Sequence, residues 1–183
     1  VDSALSTMSV DEKIGQLFMV AAYSNKDEGH QAELEKLVRD YHIGGVIVMQ
    51  GGPERQKKLL QRLQGAAALP LLVGQDAEWG QAMRLDSTYK FPTSLTVGAA
   101  GGATEAYDLG HALADECSAV GVHISFSPVL DVNTNPNNPI IGARSFGSDP
   151  DLVNELGVAV VDGIQDKGVL ACGKHFPGHA DTH

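Results

Sequence analysis

Apolar and polar positions alternate along this chain in two rhythms, one helical and one strand-like. Ser9-Val10-Asp11-Glu12 is a capping box, with Ser at the N-cap and Glu three residues on, and predicts a helix through Ile14 and Gln16. The apolar run 17–22 either continues that helix or begins a strand. Leu34, Leu37, Val38 and Tyr41 recur at helical spacing across residues 30–41. Gly44-Gly45 is expected to stop that helix, and residues 46–49 read as a buried strand. Pro53 suits the first turn of a second helix, which carries Leu59, Leu60 and Leu63 on one face. After Pro70 the run 71–73 is the next strand, followed by Gln75-Asp76. Residues 77–102 read as loop. A long helix is expected over 103–120, ended by Gly121, and a strand over 123–129 leading to Asp131. A polar loop rich in Asn and Pro spans 133–149, a helix 150–166 with Gly168 behind it, and a last strand 169–172 leads to Lys174-His175.

Strands thus alternate with helices, and the strands are continuous apolar runs rather than alternating ones. That pattern predicts an α/β protein with a parallel sheet buried on both faces. Chemistry-bearing side chains fall just beyond the strands: Asp76 and Glu78, Asp131 and Asn133, Lys174 and His175. Ligands of α/β proteins bind at that end of the strands. Counting the run 17–22, there are about five strands, whereas a closed barrel of this kind needs eight and typically about 250 residues.

The chain has 183 residues, 43% of them hydrophobic, and a formal charge of −10. Phosphate backbones need clustered Lys and Arg, so nucleic acid is not expected as a partner. No apolar run reaches the roughly 18 residues of a membrane span. Cys117 and Cys172 fit neither a zinc nor a redox spacing and read as two buried thiols acting as small apolar residues. Nothing before Ser9 has the form of a signal peptide, and both a cytoplasmic and an extracytoplasmic setting are compatible with the sequence.

The segment Lys174-His175-Phe176-Pro177-Gly178-His179-Ala180-Asp181-Thr182 is the most specific feature. A Lys and a His at a strand end are hydrogen-bonding groups suited to sugar hydroxyls, and Pro177-Gly178 forces a sharp turn. This segment resembles the loop after the fifth strand of family 3 glycoside hydrolases, in the β-N-acetylhexosaminidase branch. Other segments agree in order: Asp76-Ala77-Glu78-Trp79-Gly80 with Arg84; Phe91-Pro92 and Gly98-Ala99; Phe126-Ser127-Pro128-Val129 with Asp131-Val132-Asn133; and Ile141-Gly142-Ala143-Arg144-Ser145-Phe146-Gly147. The chain departs from the commoner pattern at Trp79, Gln81 and Ala180.

The resemblance implies a parallel (β/α)8 barrel of the TIM type, of which residues 1–183 would form the first five or so βα units. It implies removal of terminal β-N-acetylglucosamine by an exo-acting, retaining double displacement, without cofactor or metal. Asp76 would accept from the outer hydroxyls of the sugar, while Arg84, Arg144, Lys174 and His175 would donate to hydroxyls of the same ring. His179 and Asp181 would support the loop. The acid/base, a His paired with an Asp, and the nucleophilic Asp are expected beyond His183, so that this chain alone would be inactive.

Three rival readings stand beside that one. His175, His179, Asp181 and His183 could form a metal cluster, though Pro177-Gly178 breaks the single helical register that would line them up. Lys174 could serve a Schiff-base enzyme. Finally, the chain could be a non-catalytic half-barrel that binds sugar or self-associates through open sheet edges.

Overall fold

A computed structural model describes residues 2–180. Two short helices lead in, α1 (Asp2–Thr7) and α2 (Val10–Gly15). α2 has the capping box: Glu12 N–H donates to Ser9 Oγ (3.2 Å) and Ser9 N–H to Glu12 Oε2 (2.7 Å). The run after it becomes strand β1 (Met19–Ala22), not more helix. There follow α3 (Glu28–Tyr41), β2 (Gly45–Val48), α4 (Pro53–Ala66) and β3 (Leu72–Gln75). The remainder comprises α5 (Ser94–Ala100), α6 (Ala103–Ala119), β4 (Ile124–Ser125), α7 (Pro150–Asp166) and β5 (Leu170–Ala171). This is an α/β fold with five parallel strands. Among the described residues no helix is long and apolar enough to cross a membrane.

The chain forms two compact units, Val1–Gln75 with Arg84–Asp86, and Asp76–Met83 with Ser87–His183. In the first, β1, β2 and β3 pair in parallel, Met19 aligned with Gly45 and Gly45 with Leu72. Leu34, Val38, Leu59, Leu60 and Leu63 bury the facing stripes of α3 and α4, as their spacing predicts. In the second unit, β4 pairs in parallel with β5, and α6 packs along α7. That helix contact is close: a Cβ on Gly110 would meet the Val160 carbonyl, and one on Gly163 the Tyr107 carbonyl.

Five expectations need correction. The helix over 30–41 ends not at Gly44-Gly45 but at His42, which takes the left-handed conformation (φ 52°) as C-cap; Gly45 already belongs to β2. The stretch 77–102 is not all loop, because α5 lies within it, its Val97 and Ser94 buried. The strand over 123–129 shrinks to β4. The Cys172 N–H is shared between the Ser125 and Ser127 carbonyls, so the register slips by one residue, and pairing continues out of step at Val129 with Lys174. Cys117 is buried, but Cys172 is exposed, at the end of β5. Burial on both faces describes β2 well and β5 poorly, since Leu170 remains half exposed.

Candidate functional site

The second unit gathers Asp76, Glu78, Asp131, Arg144, Lys174 and His175 into one polar cluster. Lys174 is held by its main chain: its N–H donates to the Pro128 carbonyl (3.1 Å), and its carbonyl accepts from Leu130 N–H (2.6 Å). That anchorage brings the segment after β5 alongside the one after β4. The Lys174 ammonium then donates to Asp76 Oδ1 (2.7 Å) and reaches Glu78 Oε1 (2.8 Å). The peptide bonds Lys174–His175 and Phe176–Pro177 are cis.

Arg144 approaches the same carboxylate from the loop 133–149. Its Nε donates to Glu78 Oε2 (2.9 Å) and its Nη2 to Glu78 Oε1 (2.8 Å), a two-pronged bond that fixes the guanidinium plane. Nη1 donates to the Ile140 carbonyl (3.2 Å). The Glu78 side chain is only 2% exposed, against 23% for Arg144 and 15% for Lys174. Glu78 is thus the floor of the cluster, and the two cations stand over it. Burial pushes the Glu78 carboxyl up, but the hydrogen bonds from Arg144 and Lys174 outweigh it, and the group ends below its ordinary range. Glu78 in turn raises the Arg144 guanidinium, so its charge is permanent.

Asp131 makes a second hub. Its Oδ2 accepts from the His175 N–H (3.1 Å) and lies 2.7 Å from His175 Nδ1, while its Oδ1 accepts from the His179 N–H (2.6 Å). With its side chain 1% exposed, burial pushes Asp131 up; the His175 ring and the two main-chain donors pull it further down, to a net value below the ordinary one. Asn138 holds the far end of the same segment. Its Nδ2 donates to the His179 and Ala180 carbonyls (2.9 and 2.8 Å), and its Oδ1 accepts from Ile140 and Ile141 N–H. The His175 and His179 rings meet edge to face at 5.5 Å.

Of the residues singled out in the sequence, Asp76, Arg144, Lys174 and His175 come together here, with the His179 main chain beside them. Arg84 belongs to the first unit, where its carbonyl accepts from Gly51 N–H (3.2 Å). Asp181 and His183 lie outside the described residues. Glu78, Asp131 and Asn138 had no assigned role. The first two were visible as carboxylates just after strands; Asn138 gave no signal beyond a polar loop.

Parallel strands with charged donors and acceptors assembled just beyond them are the arrangement of an α/β protein of the βα-repeat class. Residues 9–183 match the family model described as glycosyl hydrolase family 3 N terminal domain, and the chain belongs to that family. Beta-hexosaminidase A of Pseudoalteromonas piscicida is 36% identical over 164 residues, 82% of this chain and 27% of that protein. A family 3 β-N-acetylglucosaminidase structure from Paenibacillus sp. superposes with a TM-score of 0.83 at 38% identity, covering 96% of this chain and 34% of that one. The beta-glucoside phosphorylase BglX bound to 2FGlc superposes with a TM-score of 0.90 at 31% identity, covering 98% and 32%. The chain therefore spans about a third of the length of these relatives, and its five parallel strands are consistent with part of the family's (β/α)8 barrel.

Proposed function

We propose that the protein to which this chain belongs is an exo-acting β-N-acetylhexosaminidase, and that the cluster on Glu78 binds the non-reducing terminal sugar. The observation that carries this reading is the Glu78 platform. It holds Lys174 and Arg144 side by side, 15% and 23% exposed, with Asp76 adjacent as an acceptor. An ammonium has three donors, and Lys174 spends two on Asp76 and Glu78. One donor is left to point at a ligand, and one N–H of Arg144 Nη1 is similarly left after Ile140. A sugar ring, which offers several hydroxyls in a small volume, suits such closely spaced charged donors and acceptors. Arg84 is assigned to the same ring on the family resemblance, as a further donor, with His179 and Asp181 supporting the loop.

The names of the Pseudoalteromonas and Paenibacillus relatives favour N-acetylglucosamine as that sugar. The reaction is a retaining double displacement. Its nucleophile and His-Asp acid/base come from the part of the relatives' length that this chain does not span. Asp76, Arg144, Lys174 and His175 bind and orient; they do not themselves attack.

The test is hydrolysis of an aryl N-acetyl-β-glucosaminide by the protein, set against the aryl β-glucoside, each with and without inorganic phosphate. Preferred hydrolysis of the N-acetyl substrate, with the β-anomer released first, supports the reading. Phosphate-dependent turnover of the glucoside would instead make it a phosphorylase. Binding of N-acetylglucosamine without turnover would reduce the function to sugar binding. Turnover by a polypeptide of residues 1–183 would overturn the placement of the nucleophile and the acid/base.

A further inference from the structure

The hydrogen-bond network around His175 gives its two ring nitrogens opposite surroundings, a carboxylate at one and a guanidinium at the other. Nδ1 lies 2.7 Å from Asp131 Oδ2, a carboxylate oxygen that also accepts the His175 main-chain N–H (3.1 Å). An ionised carboxylate only accepts, so Nδ1 carries a proton. Nε2 lies 3.4 Å from Arg144 Nη2. A guanidinium nitrogen only donates, so a proton on Nε2 would set donor against donor; the contact is a bond only if Nε2 offers its lone pair. We infer that His175 donates from Nδ1 to Asp131 and acts on its ligand as a hydrogen-bond acceptor through Nε2, the reverse of the donor role that the resemblance implies. Asp131 is then the positioning residue for this role.

The inference rests on the reading of the cluster as a sugar site, and it sharpens it. Lys174 and Arg144 can only donate. A sugar hydroxyl that accepts from either of them still has its own proton to place, and the buried surroundings penalise leaving it unpaired. Nε2 supplies the acceptor. Its present bond to Arg144 is long at 3.4 Å, beyond the usual range for N–H donors, while Arg144 is tied at shorter distance to Glu78. An O–H at ordinary distance can therefore take that lone pair without disturbing the guanidinium. The ring cannot easily turn away, because Asp131 grips Nδ1 and His179 packs edge-on against it. The ring remains 30% exposed, which keeps it within reach of a ligand. A site built this way selects a hydroxyl over a group that only accepts, such as fluorine or an ether oxygen, at the position facing His175.

Long-range proton–nitrogen NMR of the histidine-labelled protein at pH 7 tests this, with His175 assigned by comparison with His175→Asn. The expected spectrum shows a pyrrole-type Nδ1 and a pyridine-type Nε2. Asp131→Asn, which can present a donor amide to Nδ1, is expected to shift the tautomer towards Nε2–H. Adding N-acetylglucosamine should move the Nε2 resonance towards the pyrrole-type value, as a lone pair does when it accepts a hydrogen bond. A protonated Nε2 in the free protein would overturn the inference. So would binding of the sugar, seen by calorimetry, with Nε2 unmoved. If the tautomer is as stated and the sugar does not bind, the sugar-site reading fails together with the ligand half of the inference, and the tautomer alone stands.

Discussion

A single buried carboxylate, Glu78, does more to order the cluster than any of the residues above it. Removing it leaves Arg144 and Lys174 as neighbouring cations with no common counter-ion. Breaking one partner of a buried ionic network typically costs about 3–5 kcal/mol. Glu78→Ala is accordingly expected to lower unfolding free energy by an amount of that order in a denaturant titration. Asp86→Ala, which removes an exposed partner of Arg55, is expected to change it by less than about 1 kcal/mol. The two thiols give a second prediction at this scale. Cys117 is fully buried, and burial pushes its thiol up to about 12, whereas Cys172 is exposed. A thiolate-specific disulfide reagent at pH 8 should therefore titrate one thiol in the native protein and the second only in denaturant. Rapid reaction of both would contradict the packing of α6. In sequence the two cysteines looked alike, because nothing local distinguishes a cysteine inside a helix stripe from one at the end of a short strand.

Helices were more legible than strands, and the reason is where their instructions lie. α7 was readable to the residue: Asp149 caps it through the Asp151 N–H, Pro150 suits N1, and Gly168 (φ 80°) follows it. α5 was not, since a seven-residue helix of Ser, Leu, Thr, Val, Gly and Ala shows no sustained stripe. β4 was overdrawn because a strand's length depends on how its partner meets it: between Ser125↔Ala171 and Val129↔Lys174 the register slips by one residue, with Cys172 N–H shared by the Ser125 and Ser127 carbonyls. The site followed the same division. Asp76, Arg144, Lys174 and His175 were legible through local motifs; the hub roles of Glu78 and Asp131 were not, because they exist only once three separate segments converge. Glycines allow the packing at this scale to be tested. Gly110→Ala or Gly163→Ala forces a Cβ against a carbonyl of the facing helix and should destabilise by about 1–3 kcal/mol. Gly65→Ala in α4 meets nothing within 4 Å and should stabilise by roughly 0.5–1 kcal/mol. Thermal unfolding of the three variants would rank them; a Gly110→Ala protein as stable as the Gly65→Ala one would show that α6 and α7 are not in close backbone contact.

For the molecule as a whole, family membership settles the type of fold, and electrostatics decides the conditions under which it persists. The chain is strongly acidic, with a formal charge of −10, so lowering the pH first relieves general repulsion. Against that relief stand Glu78 and Asp131, both held below their ordinary values despite burial, by Arg144 and Lys174 in one case and by His175 and main-chain donors in the other. A carboxyl whose folded pKa is depressed binds fewer protons folded than unfolded over the interval between the two values, so stability falls as the pH falls through it. Its contribution is complete above the unfolded carboxylate pKa, about pH 4, and disappears as the pH drops through the lower folded values. Unfolding free energy measured from pH 6 to pH 2 should therefore decline steeply only below about pH 4. Each unit of depression corresponds to about 1.4 kcal/mol. Glu78→Gln and Asp131→Asn should each start from a lower plateau at pH 6 and lose less on acidification, because the proton they would have taken up is no longer linked to folding. Parallel curves for wild type and both variants would mean that acid sensitivity resides elsewhere. In that event the two hubs would be held by packing rather than by the charges on them.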